Sequence, residues 1–268
     1  FDLERSVFNG ESLAVDLKGG ASIDSQDRES STRSLGLRVD PREVDTSAPI
    51  EDILAPENIG NGVRADDSSN QTDFYEGTAD VEAAYLSADM DWANTLRLVG
   101  GLRLESAEYE VESLTTTDAP VSSGFDESNV LPSLSATWFV TDQMQARVAL
   151  GSTISRPTLN EIGGDPGSNR RVRYRDPDTN EQFEGNPFLK PAEIDSLDAR
   201  WEWFPSQGEL VTAGFFLKDY TNALEEELQP TSSGTLRQVV NAPEATVRGL
   251  EAEARLYLPT IMGSYNMS

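Results

Sequence analysis

Alternation of apolar and polar side chains is the feature of this sequence that most limits its fold. Between Leu96 and Leu104 every even position is leucine or glycine, whereas the odd positions include Arg97 and Arg103. Because successive side chains of a β-strand point to opposite faces, such a segment has one face suited to hydrocarbon and one suited to water. Strands of this kind build barrels whose walls separate lipid from a polar interior. We therefore predict an all-β fold, an antiparallel transmembrane β-barrel.

The alternation changes phase after Glu105. Ala107, Tyr109 and Val111 then occupy odd positions, and each is followed by a glutamate at the next even position. Two explanations stay open. Either a β-bulge turns the strand over, or one strand runs on past the bilayer.

Further alternating runs predict hairpins. The runs 133–140 and 144–150 are joined by a short polar turn, and 193–204 and 210–222 are joined by Pro205-Ser206-Gln207-Gly208-Glu209. Two alternating runs around a brief turn are typical of a β-hairpin. Weaker or isolated runs occur at 13–17, 74–90 and 250–258. The total is about nine strands.

The segment 190–204 also fits a helix. Ile194, Leu197, Trp201 and Phe204 are spaced for one helical face, so periodicity alone is ambiguous here. The alternating neighbours and the Pro-Gly turn that follows favour a strand.

The connections between these runs alternate in length. Short turns are predicted near 91–94, 141–143, 205–209 and 259–263, and long polar segments at 29–73, 114–129, 156–192 and 223–244. Short periplasmic turns at one rim and long extracellular loops at the other are typical of bacterial outer-membrane barrels.

The charge balance argues against one class of partner. The chain of 268 residues has 47 acidic and 21 basic residues, a formal net charge of −26. Affinity for nucleic acid depends on Lys and Arg that neutralise phosphates. We therefore expect no nucleic-acid binding.

Cysteine and histidine are both absent. Their absence excludes Ser-His-Asp and Cys-His catalysis, and every metal site that needs nitrogen or sulfur ligands. The acidic segments Glu225-Glu226-Glu227 and Asp66-Asp67 could offer oxygen ligands to calcium, but they lack EF-hand spacing, and a solvated surface is favoured. We predict no metal site, no cofactor, no catalytic residue and no enzymatic activity.

Three segments, in this order, resemble the TonB-dependent receptor family. The first is Leu131-Pro132-Ser133-Leu134, followed after a hairpin by Ser152-Thr153-Ile154-Ser155-Arg156-Pro157. The second is Gly185-Asn186-Pro187-Phe188-Leu189-Lys190-Pro191-Ala192-Glu193. The third is Asn241 followed by Ala245-Thr246-Val247-Arg248-Gly249-Leu250-Glu251. We expect structural roles for Pro132, Arg156, Pro157, Gly185, Asn186, Pro187, Leu189, Pro191, Arg248, Gly249 and Glu251.

The resemblance implies energy-coupled uptake of a scarce ligand, a ferric siderophore or an oligosaccharide, across the outer membrane of a Gram-negative bacterium. Family barrels have 22 strands, a plug domain and an N-terminal box that binds TonB. With about nine strands and no recognisable plug, residues 1–268 are expected to form part of the barrel domain. The implied partners are TonB, through an N-terminal region not found here, outer-membrane lipid and lipopolysaccharide, and the small-molecule or oligosaccharide ligand.

One basic cluster stands out in this acidic chain. Four arginines and a tyrosine lie within the long segment 156–192: Arg170, Arg171, Arg173, Tyr174 and Arg175. Guanidinium groups suit carboxylate, catecholate or phosphate, and a tyrosine can stack on a planar ring. These residues are predicted to bind substrate or lipopolysaccharide. Pairing with nearby aspartates, Asp165, Asp176 and Asp178, is the alternative.

A second function class uses the same alternation. A soluble, secreted all-β carbohydrate-binding module or β-glycosidase would turn its apolar faces inward, as in a sandwich. Such a protein would be a monodisperse monomer without detergent, whereas a barrel segment needs detergent and its missing strands.

Overall fold

The computed structural model describes residues 1–31, 33, 35–67, 69, 74–114, 119–167, 182–231 and 234–257, with the backbone of 173–175. Within these ranges almost every residue of regular structure is in a strand. The two helices, α1 (Ile50–Ile53) and α2 (Leu159–Ile162), have one turn each. Neither helix in this part of the chain is long and apolar enough to cross a membrane.

The strands are β1 (Asp2–Asn9), β2 (Leu13–Ser31), β3 (Leu35–Val39), β4 (Val63–Asp67), β5 (Phe74–Trp92), β6 (Leu96–Leu114), β7 (Pro120–Thr141), β8 (Met144–Ser155), β9 (Arg173–Arg175), β10 (Gln182–Glu184), β11 (Ala192–Trp203), β12 (Leu210–Thr231) and β13 (Gly234–Arg255).

Nine of these strands form one antiparallel wall. Its order is β1-β2-β5-β6-β7-β8-β11-β12-β13, so each wall strand pairs with the next wall strand along the chain. The short strand β10 joins the far edge of β13 in parallel, and β9 pairs with β10. Strands β3 and β4 form a separate hairpin. This antiparallel, strand-rich architecture confirms the predicted fold class, and the described sheet is an open portion of a wall.

The phase change in β6 comes from a strand that continues, not from a bulge. Its register with β5 and β7 is unbroken from Leu96 to Leu114. Odd residues from Arg103 to Ser113 are buried or half-buried, and even residues from Leu102 to Glu112 are exposed. The odd side chains define what we call the inner face, and the even side chains the outer face. Beyond Leu104 the outer face changes from leucine to serine and glutamate.

Two segments predicted as long loops, 114–129 and 223–244, are strand over nearly all of their described residues, so that part of the prediction was wrong. Strand β7 already begins at Pro120. Strand β12 continues as far as Thr231, and β13 already begins at Gly234. Glu225, Glu226 and Glu227 therefore lie in β12, paired with β13, and not in a loop. Polar residues stay in the strand because the ladder satisfies their backbone groups while their outer side chains face water.

The other two long connections contain structure of their own. Residues 32–73 include α1 and the β3–β4 hairpin, which enclose a small core of Val44, Ile53 and Val63. Residues 156–191 include α2, β9 and β10. These long connections lie at the end of the wall opposite the short turns.

The short turns are where the sequence predicts them. Residues 93–95, 142–143 and 204–209 join the hairpins, and 10–12 add a fourth turn between β1 and β2. The predicted turn at 259–263 lies outside the described residues. The ambiguous segment 190–204 contains β11, which pairs with both β8 and β12, so the strand prediction is confirmed.

Candidate functional site

The wall divides near its upper end, where the long connections lie. Strands β7 and β8 pair only as far as Ser133 and Gly151. Above that point β7 pairs only with β6, and β8 only with β11. The next residue of β7 is Pro132, which has no backbone N–H for a ladder hydrogen bond. The two strands therefore separate at a residue that cannot donate to the ladder.

The Arg156 side chain connects the two sides of this division. Its Nε donates to Glu127 Oε1 at 2.7 Å, and its Nη2 donates to Glu105 Oε2 at 2.9 Å. Arg103 Nε also donates to Glu105, at 2.6 Å. The sequence places these groups on three strand segments, so the planar guanidinium ties β6, β7 and the end of β8 together.

The Arg156 network is largely removed from water. Its side chain is 12% exposed, and those of Glu105 and Glu127 are 10% and 17% exposed. Burial disfavours the charged guanidinium, but its hydrogen bonds to the two carboxylates outweigh that effect and raise the pKa of Arg156. The group therefore stays a cation between two anions.

Helix α2 packs directly after this arginine, on the inner face. Thr158 and Glu161 form a capping box that satisfies the first turn of the helix. Leu159 and Ile162 then pack in one buried cluster with Tyr75 and Val111. This packing places α2, at the start of the connection 156–191, against the inner side of β5 and β6.

Two asparagines fix the second motif onto β13. Asn186 Nδ2 donates to Val239 O at 3.1 Å, and its backbone N–H donates to Glu161 O. Asn241 Oδ1 accepts from Lys190 N at 2.8 Å, while its Nδ2 donates to Lys190 O and Asn222 O. The motif therefore bridges α2 and the β12–β13 hairpin.

Other motif residues have packing roles. Leu189 is buried in the α2 cluster, and Pro157 is fully buried. A Cβ on Gly185 would lie 2.1 Å from Gly163 O, so only glycine fits there. Pro187 directly follows Asn186, and Pro191 directly follows Lys190, the two positions fixed by these hydrogen bonds.

The third motif lies in the β12–β13 ladder. Arg248, Gly249 and Glu251 stand opposite Leu217, Phe216 and Gly214, respectively. A Cβ on Gly249 would come within 2.7 Å of the Phe216 ring, so this glycine leaves room for the phenyl group.

The sequence alone did not single out the aromatic groups of the inner face. Tyr109 and Phe125 stack with ring centroids 4.8 Å apart and planes inclined by 14°. The guanidinium of Arg28 lies 5.9 Å from the centre of the Tyr75 ring. The signal that could have indicated them is the apolar alternation at the odd positions of β6, which includes Tyr109. Half-buried stacked rings beside an arginine–carboxylate network suit a planar ligand that also carries polar groups.

The predicted arginine cluster is only partly described. Arg170 and Arg171 lie outside the described residues. Arg173, Tyr174 and Arg175 form β9, the outermost strand of the sheet. Their substrate-binding role stays a prediction.

Neither acidic segment forms a metal centre in the part of the chain described. No group of three or more acidic side chains there is arranged to hold a metal ion. Asp66 and Asp67 instead pair with Arg38 and Arg33, at 2.8 Å and 2.9 Å.

Comparison with protein families identifies the family to which this sheet belongs. Residues 13–267 match the family described as "TonB dependent receptor-like, beta-barrel". The chain belongs to this family. A comparison with curated proteins gave no match.

Solved structures show the same fold. The ferric-catecholate import receptor Fiu from E. coli K12 is 16% identical, with a TM-score of 0.56 over 94% of this chain and 34% of that protein. The copper transporter OprC is also 16% identical, with a TM-score of 0.56 over 96% of this chain and 34% of that protein. The Serratia marcescens hemophore receptor HasR was solved with its hemophore HasA and heme. It is 13% identical, with a TM-score of 0.52 over 90% of this chain and 40% of that protein. The chain thus spans about a third to two fifths of these receptors.

Proposed function

We propose that this chain is part of the barrel wall of an outer-membrane receptor that takes up a scarce ligand with energy from TonB. The observation that carries the proposal is the apolar band on the outer face. Large side chains on neighbouring strands project outward there, including Leu86, Leu102, Leu134, Leu150 and Leu250. Leu86 is 63% exposed and Leu250 is 84% exposed, which in water would be an aggregation-prone surface. Hydrocarbon is the environment that stabilises it.

The inner face is suited to a polar pathway. It carries the Arg156 network and the Tyr109–Phe125 pair, and α2 packs against it. We propose a ferric siderophore or an oligosaccharide as the ligand, with the stacked pair as a contact for its planar part. The arginine cluster of β9 and its flanking residues is proposed as a second contact, to ligand or lipopolysaccharide. The role is transport, without a catalytic residue.

Residues 1–268 are proposed to belong to the barrel domain alone. The plug domain and the TonB-binding box would then lie elsewhere in the complete receptor. In this arrangement TonB contacts the receptor outside the described wall, while lipid and lipopolysaccharide contact the outer face.

Deletion of the complete receptor gene tests the proposal. Growth limited by one ferric siderophore, or by one oligosaccharide as carbon source, should fail in the deletion strain. It should also fail when TonB is removed, and plasmid-borne receptor should restore it only in the strain with TonB. Unimpaired growth on every such ligand would contradict the transport role.

Cell fractionation tests the location separately. The complete receptor should sediment with the outer membrane and need detergent for extraction. Recovery as a detergent-free monomer would instead support the soluble carbohydrate-binding or glycosidase alternative.

A further inference from the structure

The division between β7 and β8 lies beside the apolar band of the outer face. The ladder that joins these strands runs from Thr141 only to Ser133, and its register shifts between Phe139 and Thr141. On the two sides of this ladder, β7 pairs with β6 as far as Pro120, and β8 pairs with β11 as far as Ser155. The joint between β7 and β8 is therefore less continuous than the joint on either side of it.

The division leaves two short strand edges facing each other, 129–132 of β7 and 152–155 of β8. No backbone hydrogen bond joins these described residues to each other. Every second residue of an edge strand directs its N–H and C=O groups away from its one partner strand. Val130 is exposed on the outer face at this height, and so are Leu102 and Leu104 on β6. Unpaired backbone groups are costly beside hydrocarbon, so a division at this place is unfavourable unless it has a function.

A cavity of about 340 Å³ lies at the lower end of the division. The residues of β7 and β8 that line it are Pro132, Ser133, Leu134, Leu150, Gly151 and Ser152. Ser133 and Gly151 belong to the inner face by their alternation, and the other four belong to the outer face. Residues of both faces therefore meet in one cavity at the point where the strands part.

A buried donor without a partner lies on the β7 edge. Asn129 Nδ2 is removed from water and has no hydrogen-bond partner in the part of the chain described. An unsatisfied buried donor destabilises the state that contains it. Separation of the two edges would let water reach this group, so opening is less unfavourable here than in a fully paired wall.

Arg156 closes the division at its upper end. It follows β8 directly, and its guanidinium bonds to Glu127 on β7 and to Glu105 on β6. Pro157, which is fully buried, and Thr158 then lead straight into α2. Because proline restricts the backbone, this short link has little slack, and a displacement of α2 also displaces Arg156.

We propose that β7 and β8 form a lateral gate in the wall. Arg156 holds the gate shut, and movement of α2 away from the inner face opens it by separating Arg156 from Glu127. The open gate connects the inner face with the hydrocarbon beside Leu134 and Leu150. This inference rests on the membrane location proposed above, and it gives the wall a side opening in addition to its two ends.

Hydrogen exchange of the complete receptor, resolved by residue, tests the gate. Amides of 144–151 alternate between donating to β7 and donating to β11. The first set should exchange roughly tenfold faster than the second, the ratio for a difference of about 1.4 kcal/mol in opening free energy. Arg156→Met should accelerate the first set by roughly a further tenfold and leave the second set unchanged. Equal exchange of the two sets, or equal acceleration of both, would overturn the proposal.

A variant of α2 tests its link to the gate. Leu159→Ala with Ile162→Ala loosens the helix from the inner face while Arg156 stays in place. The first set of amides should again exchange faster than in the natural receptor. Unchanged exchange in this variant would overturn the part assigned to α2.

A reversible cross-link provides the converse test. A Cβ on Gly151 would lie 3.8 Å from Ser133 Cβ, a separation that suits a disulfide. Ser133→Cys with Gly151→Cys should slow the first set of amides to the rate of the second, and reduction should restore the faster exchange. Gly214→Cys with Glu251→Cys, at 4.0 Å on β12 and β13, is the matched control and should leave β8 unchanged. Fast exchange that persists in the oxidised Ser133–Gly151 variant would contradict a gate at this place.

A spin label shows whether the gate opens toward hydrocarbon. Leu131 faces the inner side of the wall within the division, and Ser135 faces the same side below it. With a nitroxide attached at Leu131→Cys, collisions with oxygen dissolved in the hydrocarbon should become more frequent when Arg156→Met is added. The same label at Ser135→Cys should show no change, and no change at Leu131 would overturn the lateral direction of opening. Fractionation of each variant with the outer membrane separates failure of the gate from failure of the proposed location.

Discussion

Arg156 Nε lies 2.7 Å from Glu127 Oε1, although the strands that carry them are not hydrogen-bonded to each other at this height. A side chain thus joins two parts of the wall where the backbone ladder does not. The same guanidinium reaches Glu105 on β6. This relationship makes the upper wall dependent on one residue.

Replacing Arg156 by methionine should destabilise the receptor strongly. Glu127 would be left largely buried without its cation, and Glu105 would keep only Arg103, at a cost of roughly 3 kcal/mol. The temperature at which the folded receptor loses its heat-modifiable gel mobility should fall by several degrees. Arg255→Met is the control, because the Arg255–Glu253 pair is exposed, and exposed pairs contribute little. Similar losses in both variants would contradict the bridging role. Adding Glu105→Gln and Glu127→Gln to Arg156→Met should recover much of the loss.

Replacing Asn241 by alanine should loosen the connection 156–191. The substitution removes three hydrogen bonds to Lys190 and Asn222 and leaves backbone groups without these partners, a local cost of about 1–3 kcal/mol. Hydrogen exchange at the Lys190 amide should become faster. Asn61→Ala is the control, since Asn61 bonds to Glu57 in a different connection. No change at Lys190 would show that other contacts hold the segment.

The β3–β4 hairpin should respond to acid below the usual aspartate range. Hydrogen bonds from Ser69, followed by that from Arg33, lower the pKa of Asp67 from 3.8 to about 2. Because the folded pKa is depressed, the contribution of this carboxylate to the hairpin is complete above 3.8. It is lost as the pH falls through about 2. NMR titration of labelled aspartate should show this value. Ser69→Ala should raise the pKa of Asp67 toward 3.8, and an unchanged value would contradict the assignment.

Replacing Phe125 by alanine should weaken ligand uptake. A contact between an aromatic ring and a planar ligand group contributes about 0.5–1.5 kcal/mol beyond burial. Its loss should raise the half-saturating ligand concentration roughly two- to tenfold. Phe125→Tyr keeps a ring against Tyr109 and should be close to the natural receptor. Phe139→Ala, on the exposed surface near the short turns, is the control for general damage. An uptake curve unchanged by Phe125→Ala would remove this pair from the proposed ligand contacts.

The fold could be predicted wherever an apolar and a polar face alternate. The lower half of β6 shows this, since Leu98, Leu102 and Leu104 alternate with Arg97 and Arg103. Above Leu104 the prediction became ambiguous, because the outer side chains turned polar while the backbone ladder continued. Polarity alone cannot distinguish a loop from a strand that rises into water. For that reason the upper parts of β7, β12 and β13 were predicted as loops.

The candidate site was harder to predict from the sequence than the strands of the wall. The resemblance singled out Arg156, but its two carboxylate partners are 29 and 51 residues away along the chain. Only the register of β6 with β7 and the division after Ser133 bring them together. The register and the division depend on which strands pair and on where Pro132 ends the pairing of β7 with β8. Local periodicity of the sequence shows neither of these.

The parallel strand β10 covers part of the free edge of β13. It pairs with Leu236, Arg237 and Gln238 of β13, on the side away from β12. Those three residues are no longer accessible to another strand along that edge. Any wall strand that continues the barrel there can pair with β13 only below Gln238. A connection that starts at the end of β8 thus occupies the first part of the β13 edge, where a further wall strand would otherwise pair.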